Sequence, residues 1–479
     1  MRICIIAEGS YPYITGGVST WIHSLVRSMP EHEFVIYTIG AKESQRGKFR
    51  YELPSNIVSV KETFLDEYQR EQGEWGHRFR LTPKQREVMG ALLGTDERMD
   101  WVGLFELLRS EAFQVASDFL MSKDYFDILV KLCRERYDQV PFTEMFWTVR
   151  SMILPLFIGV RQEIPEADLY HSVSTGYAGV IGGLAKQLYG KPFILTEHGI
   201  YSREREEEII KADWVKGYFK DLWIEYFYRL SSCAYDYADK VITLFNRNRE
   251  IEIELGCDPN KIELIPNGVE IEDFQSIVRG EPDGAVRLGA IVRVVPIKDI
   301  KTMIHSFALV KQQVPRAELH IMGGTDEDRE YYEECLQLVE TLQVSDVIFT
   351  GEVQVKERLG RMDLLLLSSI SEGQPLAILE GLAAGLPFVT TDVGSCRELL
   401  EGLNDDYGPA GYVIPVMHYE PYAAAIVRLC QNADLRIAMG RNGQKRVKSM
   451  YTKARFIEEY KKLYASLEGG QAWQASVLS

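Results

Sequence analysis

Glu372 and Glu380 stand eight positions apart in the stretch Ser371-Glu372-Gly373-Gln374-Pro375-Leu376-Ala377-Ile378-Leu379-Glu380, one before a proline and one after it. Pro375 suits the opening of a helix and pushes the residue before it to extended backbone. Glu372 is therefore expected in a loop and Glu380 inside the following helix. The apolar run Leu364 to Leu367 reads as the strand entering that loop. A helix start offers N–H groups and a partial positive charge, which together attract an anion. Glu380 lies about 7.5 Å along the axis from Pro375, and helical side chains lean toward the N-terminus. Its carboxylate would reach back beside such an anion without pairing with it, a position suited to hydroxyls such as those of a ribose. Glu372 suits a group on the anion's other side. Ribose, pyrophosphate and sugar follow one another in that order in a nucleotide sugar. Taken singly, either glutamate reads as a surface residue; the combination carries the reading.

A pyrophosphate needs cations. Arg293 and Lys298 follow the strand pattern Arg287 to Val292, five positions apart across Pro296. Charge-assisted hydrogen bonds from such groups to phosphate contribute about 1.5–3 kcal/mol each; the competing reading is two solvated surface cations. Gly16-Gly17 precede a helical pattern, where glycine lets a ligand approach the backbone closely, although as a bare turn signal the pair is weak. There is no G-x-G-x-x-G fingerprint and no P-loop, which counts against dinucleotide and NTPase readings. His198, in Thr196-Glu197-His198-Gly199, ends a strand pattern, as does His171; a lone histidine is more often structural than functional. Asp326-Glu327-Asp328 resembles a metal motif but opens a helix, where acidic residues are favoured by the dipole, so no metal site is expected.

These residues sit in a chain of 479 residues, long enough for two domains. Its net charge of -16 counts against general nucleic-acid binding. The seven cysteines are scattered without a C-x-x-C pair, which argues against a disulfide framework or a structural zinc site. The apolar run at the N-terminus is too short for a signal peptide, and Met152 to Val160 is far shorter than the roughly 20 residues that span a bilayer. A cytoplasmic protein is expected, reaching any inner membrane through partners.

The elements that would position these residues alternate between strand and helix. The first half opens with strands Arg2 to Ala7 and Phe34 to Ile39 around a helix Val18 to Met29. From about 61 to 163 the alternation gives way to helical patterns, including Pro83 to Leu93 and Trp101 to Met121, read as an insertion. Strands return at Leu169 to Val173, Phe193 to Thr196 and Lys240 to Leu244, with helices Gly176 to Tyr189 and Asp213 to Tyr237 between them. Glu281-Pro282-Asp283-Gly284 reads as a linker. Beyond it the alternation restarts with strands at Arg287, Glu318, Val347, Leu364 and Phe388. The final helical pattern spans Leu435 to Leu467, ahead of a loose tail from Glu468. The expected fold class is α/β, two doubly wound Rossmann-like domains facing a cleft, with ligands at the carboxyl ends of the strands. The expected domains are 1–280, containing the insertion, and 285–448, followed by a helix over 449–467 and a tail over 468–479.

The pattern resembles the retaining glycosyltransferases of family 4, which have the GT-B fold. The resemblance is carried by Glu372 and Glu380 as the E-x7-E signature, by Arg293 with Lys298, and by the segments Ile265 to Val269 and Phe349 to Val353. More narrowly, Glu8 to Trp21, Leu169 to Gly179, Thr196 to Tyr201 and the helical insertion are similar to the Pel-type exopolysaccharide glycosyltransferases. One departure is Val292, where that family usually has glycine.

The resemblance implies metal-independent transfer of a sugar from a UDP-sugar to a growing polysaccharide, with retention at the anomeric carbon. It implies that Arg293 and Lys298 hold the pyrophosphate and that Glu380 binds ribose hydroxyls. Glu372 with the backbone of Gly373, Gln374, Pro375 and Leu376 would hold the donor sugar. His198 would lie beside that sugar, Gly17 beside the phosphates and acceptor, and Val353 near the uracil. His198, Glu372, Arg293 and Lys298 would be the catalytic set. The UDP-sugar is a substrate and no cofactor is implied; the other implied partners are the polysaccharide acceptor and inner-membrane polysaccharide synthase subunits. Two competing functions are a UDP-sugar epimerase of the same fold and a UDP-binding, non-catalytic subunit of a membrane synthase.

Overall fold

The computed structural model describes residues 1–66, 79–94, 99–113, 115–275, 277, 280, 283–403 and 405–477. They form two compact units: Met1–Thr243, Arg249–Glu263 and Leu463–Ser479 in the first, Leu244–Asn248 and Leu264–Lys462 in the second. Of the expected linker, 281 and 282 lie outside the described residues, and the continuous run of the second unit begins earlier, at Leu264.

The first sheet holds β1 (Arg2–Glu8), β2 (Glu33–Gly40), β3 (Ile57–Phe64), β4 (Leu169–Ser172), β5 (Phe193–Glu197), β6 (Lys240–Thr243) and β7 (Ile262–Leu264), in the order β3-β2-β1-β4-β5-β6-β7. Its helices are α1 (Gly17–Arg27), α2 (Pro83–Leu93), α3 (Trp101–Arg109), α4 (Ala116–Leu120), α5 (Lys123–Arg136), α6 (Phe142–Arg161), α7 (Tyr177–Tyr189), α8 (Tyr201–Lys211), α9 (Lys220–Tyr237) and α10 (Asn246–Glu254). The apolar runs of β1, β4 and β5 are buried throughout their centres, as a parallel sheet covered on both faces requires. Strand β1 pairs in parallel with β2 on one side and β4 on the other. The order therefore reverses between β1 and β4, and a crevice opens outside the carboxyl ends of neighbouring strands at such a point.

The second sheet repeats the arrangement. Its strands are β8 (Val286–Ile291), β9 (Ala317–Met322), β10 (Val347–Gly351), β11 (Leu364–Leu367), β12 (Phe388–Thr391) and β13 (Gly411–Ile414), in the order β10-β9-β8-β11-β12-β13. The recorded pairings are all parallel. Helices α11 (Glu272–Gln275), α12 (Ile300–Gln313), α13 (Arg329–Thr341), α14 (Val355–Leu359), α15 (Leu376–Ala383), α16 (Cys396–Glu401), α17 (Tyr419–Gln431), α18 (Ala433–Met450) and α19 (Lys453–Val477) complete the chain. Here the reversal falls between β8 and β11. Each unit carries its own buried apolar core.

Several expected elements are corrected. The insertion starts after Phe64, because residues 57–64 form β3, paired to β2; its polar Lys61 and Glu62 mask a strand that still buries Thr63 and Phe64. The expected helix over 101–121 is broken where the Ser110 hydroxyl bonds back to the Leu107 carbonyl at 2.7 Å, and only short helical pieces follow. The helix expected from Asp213 begins at Lys220. The final pattern splits at Tyr451 and Thr452, where Thr452 forms a parallel bridge with Val269. Helix α19 then continues to Val477 where a loose tail was expected; residues 478 and 479 lie outside the described residues.

Candidate active site

The loops after β8 and β11, the strands flanking the reversal in the second sheet, are stitched together. The Ser368 hydroxyl bonds the carbonyls of Lys298 and Asp299, each at 2.9 Å, and the Ile370 N–H bonds the Ile297 carbonyl at 2.9 Å. This stitching sets Lys298, at the end of a short 3-10 turn over Pro296–Lys298, against the Glu372 loop. Lys298 Nζ donates to Glu372 Oε1 at 2.5 Å, and the Ser369 hydroxyl donates to the same oxygen at 2.6 Å. Their side chains are only 17% and 10% exposed. A pair so shielded is screened little by salt, and an ammonium carries three donors.

Behind Glu372 the backbone is fixed from two sides. Gly394 lies in the left-handed region at φ 51, and a Cβ there would fall 2.2 Å from the Gly373 carbonyl oxygen. Ser395 N–H donates to that carbonyl at 3.0 Å. Gln374 Oε1 accepts from the Asn267 N–H at 2.6 Å. Pro375 caps α15 instead of occupying its first turn, and no acidic residue stands in that turn to compete for the N–H groups of Leu376 and Ala377. Glu380 sits half-buried in the middle of α15; burial raises its carboxyl above the ordinary value, and the Lys356 charge on α14 opposes the rise. Val353, in the loop leading to α14, packs against the second core.

Arg293 is placed differently. Its guanidinium is 58% exposed and pairs with Glu327, at the opening of α13. Asp328 is the residue that caps α13, accepting from the Tyr331 N–H at 3.0 Å. Val292 turns its side chain into the core, so its departure from glycine does not fill the loop.

In the first unit, Gly16 and Gly17 start α1 beside open space: a Cβ at either meets no atom within 4 Å. The protein's own packing therefore does not demand glycine there. Four residues on, Trp21 sets its ring edge-on to His198, centroids 4.7 Å apart. His198 follows β5; burial lowers its pKa to about 4, so the ring is neutral. Its Nε2 has no hydrogen-bond partner among the described residues. His171 differs: Tyr464 and Thr196 hydroxyls lie 2.8 Å from its two ring nitrogens, which makes it a satisfied structural histidine.

The structure thus joins Lys298 to Glu372 and sets Trp21, four residues after Gly17, against His198. It gives Arg293 a separate carboxylate and places Glu380 and Val353 near α14. Sequence reading missed Ser369, Asn267, Gly394 and Trp21. Ser369 was legible as a hydroxyl three positions before Glu372, whereas the others act from distant segments. Among the described residues, no group of three or more His, Cys, Asp or Glu side chains is arranged to hold a metal ion.

Residues 1–260, more than half of the chain, match the family described as a domain of unknown function, DUF3492. The chain belongs to that family. Residues 285–432 match the family glycosyl transferases group 1, and with that domain in its second unit this DUF3492 member is a glycosyltransferase. It is 25% identical over 388 residues to the Escherichia coli UDP-Gal:alpha-D-GlcNAc-diphosphoundecaprenol alpha-1,3-galactosyltransferase, covering 76% of this chain and 92% of that protein. It is 24% identical over 298 residues to the amylovoran biosynthesis glycosyltransferase AmsK of Erwinia amylovora, covering 59% and 66%. Among solved structures it is similar to sucrose-phosphate synthase of Thermosynechococcus elongatus, with a TM-score of 0.62 at 15% identity over 98% and 99% of the two chains. It is also similar to Anabaena HepE in complex with UDP-glucose, with a TM-score of 0.59 at 15% identity over 97% and 100%. These likenesses show the GT-B fold, two parallel-sheet Rossmann-like domains. Among the described residues no helix is long and apolar enough to cross a membrane.

Proposed function

We propose that the protein transfers a sugar from a UDP-sugar to a growing polysaccharide, with retention at the anomeric carbon, in exopolysaccharide assembly of the Pel type. The observation that carries this reading is the shielded Lys298–Glu372 pair at the strand reversal of the second sheet, beside the start of α15. Lys298 and Arg293 bind the pyrophosphate at the α15 start, and the Gly373-to-Leu376 backbone holds donor-sugar hydroxyls. Glu380 takes the ribose hydroxyls and Val353 lies by the uracil. Glu372 holds donor-sugar hydroxyls, with His198 on the sugar and Gly17 by phosphate and acceptor.

The bond between the anomeric carbon and the phosphate oxygen breaks, a bond to the acceptor oxygen forms, and the acceptor's proton passes to the leaving phosphate. Negative charge grows on UDP, where preorganised cations stabilise it without a metal. Support also comes from relatives whose names specify UDP-Gal and amylovoran biosynthesis. We further assign the protein to the cytoplasmic face of the inner membrane, held there by synthase subunits.

The test is calorimetry and turnover against UDP-glucose, UDP-N-acetylglucosamine and UDP-N-acetylgalactosamine, with product NMR. Binding of one UDP-sugar, and its hydrolysis or transfer with the α-configuration kept, supports the reading. Release of the epimeric UDP-sugar would assign an epimerase instead, and UDP binding without turnover a non-catalytic subunit.

A further inference from the structure

Helix α6 of the insertion and the segment 214–223 line a groove that the donor and acceptor assignments above do not use. It has a volume of about 350 Å³ and is lined by Thr143, Glu144, Trp147, Thr148 and Ser151 of α6, and by Trp214, Lys216 and Trp223 with their neighbours. The α6 residues recur at i, i+3, i+4 and i+7 from Glu144 or i, i+4 and i+8 from Thr143, so they share one helix face. From Thr143 to Ser151 that face runs about 12 Å.

Two large aromatic side chains in this groove stand in the open: Trp147 is 57% exposed and Trp214 is 70% exposed. Both are held. The Arg150 guanidinium lies 5.5 Å over the Trp147 ring, and Trp214 meets the buried Trp223 edge-on at 5.6 Å. Polar groups line the same groove. Glu144 accepts from Lys216 Nζ at 2.7 Å and from the Tyr218 hydroxyl. Thr143, Thr148 and Ser151 line the same wall, the Ser151 hydroxyl bonding back to the Thr148 carbonyl at 2.7 Å. Fixed aromatic faces beside carboxylate and hydroxyl groups match a sugar ring, which has an apolar C–H face and a polar rim. The size fits a small-ligand cleft of about 300–1,000 Å³. An acidic protein presenting Glu144 suits an anionic lipid surface poorly.

We propose that this groove is a glycan-binding subsite that holds a distal part of the polysaccharide acceptor. The acceptor's identity rests on the transferase reading. The placement fits it: His198 precedes α8, Trp214 follows it, and eleven helical residues span about 16 Å. A chain elongated beside His198 would reach Trp214 within a few sugar units.

The experiment measures binding of hexasaccharides of N-acetylglucosamine, N-acetylgalactosamine and glucose to the full chain, without donor, by calorimetry and tryptophan fluorescence. Wild type should bind at least one, and Trp147→Ala and Trp214→Ala should each weaken it about tenfold or more, with melting temperatures kept. Trp214→Leu, which retains apolar area but no ring face, should lose sugar binding as well. Binding of none of the three, or unchanged affinity in the alanine variants, overturns the subsite. So does capture of a protein that needs Trp147 and Trp214 while hexasaccharide affinity does not. Binding needs no turnover, so a chain that grips the hexasaccharide through these tryptophans yet transfers nothing would keep the subsite and sink the transferase reading.

Discussion

In the first sheet the strand-end residues singled out for function are uncharged: two glycines beside open space and a histidine that burial keeps neutral. In the second they are an ammonium, a guanidinium and the Glu372 carboxylate, each cation already facing an acid. Both sets occupy the same kind of place, outside the carboxyl ends of parallel strands. Shared topology therefore fixes where a ligand goes, while the side chains fix its chemistry. Neutral, aromatic-backed walls suit a polyol; paired charges suit a phosphate, which competes for the cations.

Removing a charge from the second set should have the largest effect. Lys298→Ala leaves Glu372 shielded and without its cation, so donor turnover should fall at least about 100-fold, and stability should drop by about 3 kcal/mol. Turnover assays with chemical melts check both, and wild-type turnover would break the contrast between the sheets. Next, His198→Ala should reduce sugar transfer by about tenfold to 100-fold while UDP affinity, measured by calorimetry, stays within about twofold. Equal losses in both would mean that the two sets are not specialised.

Arg293→Ala should weaken UDP binding by about tenfold or more. Its exposed pair with Glu327 contributes little, so stability should change by less than about 1 kcal/mol. Gly17→Ala meets no protein atom, so its melting temperature should match wild type while its turnover falls.

A further effect is on pH dependence. His198 sits at about 4 in the folded state, below its ordinary 6.5, so the unfolded chain binds more protons between those values. Stability from this group is present above pH 6.5 and is lost as pH falls toward 4. The buried acids Glu197 and Glu252, raised by desolvation, act with the opposite sign over part of that range. The difference between His198→Gln and wild type therefore carries the prediction. The variant should lose stability less steeply on acidification, by up to about 1.4 kcal/mol per pH unit.

Much of this was legible in the sequence because it is local. Pro83–Leu93 was read to the residue, since Thr82 and Gln85 form a capping box beside Pro83. Leu364–Leu367 and Phe388–Thr391 were legible as short apolar runs bounded by turns. Strand β3 was not, because Lys61 and Glu62 resemble a helical surface and its strand character comes from pairing with β2. Helix α8 was missed because Arg203 to Glu208 shows no apolar periodicity. In the site, Glu372 and Lys298 announced themselves by position after strands. The Glu327 partner of Arg293, 34 positions away, did not. Neither did the hold of Asn267 on Gln374, made across 107 positions.

Strand β1 lies between β2, which follows at once, and β4, whose first residue is Leu169. On a ribosome adding about 5–20 residues per second, the β4 side of β1 waits roughly 8 to 30 s for its neighbour to emerge. Through that interval the nascent chain displays an unpaired row of amides and carbonyls beside Ile3, Ile5 and other apolar side chains, the kind of edge that chaperones cover.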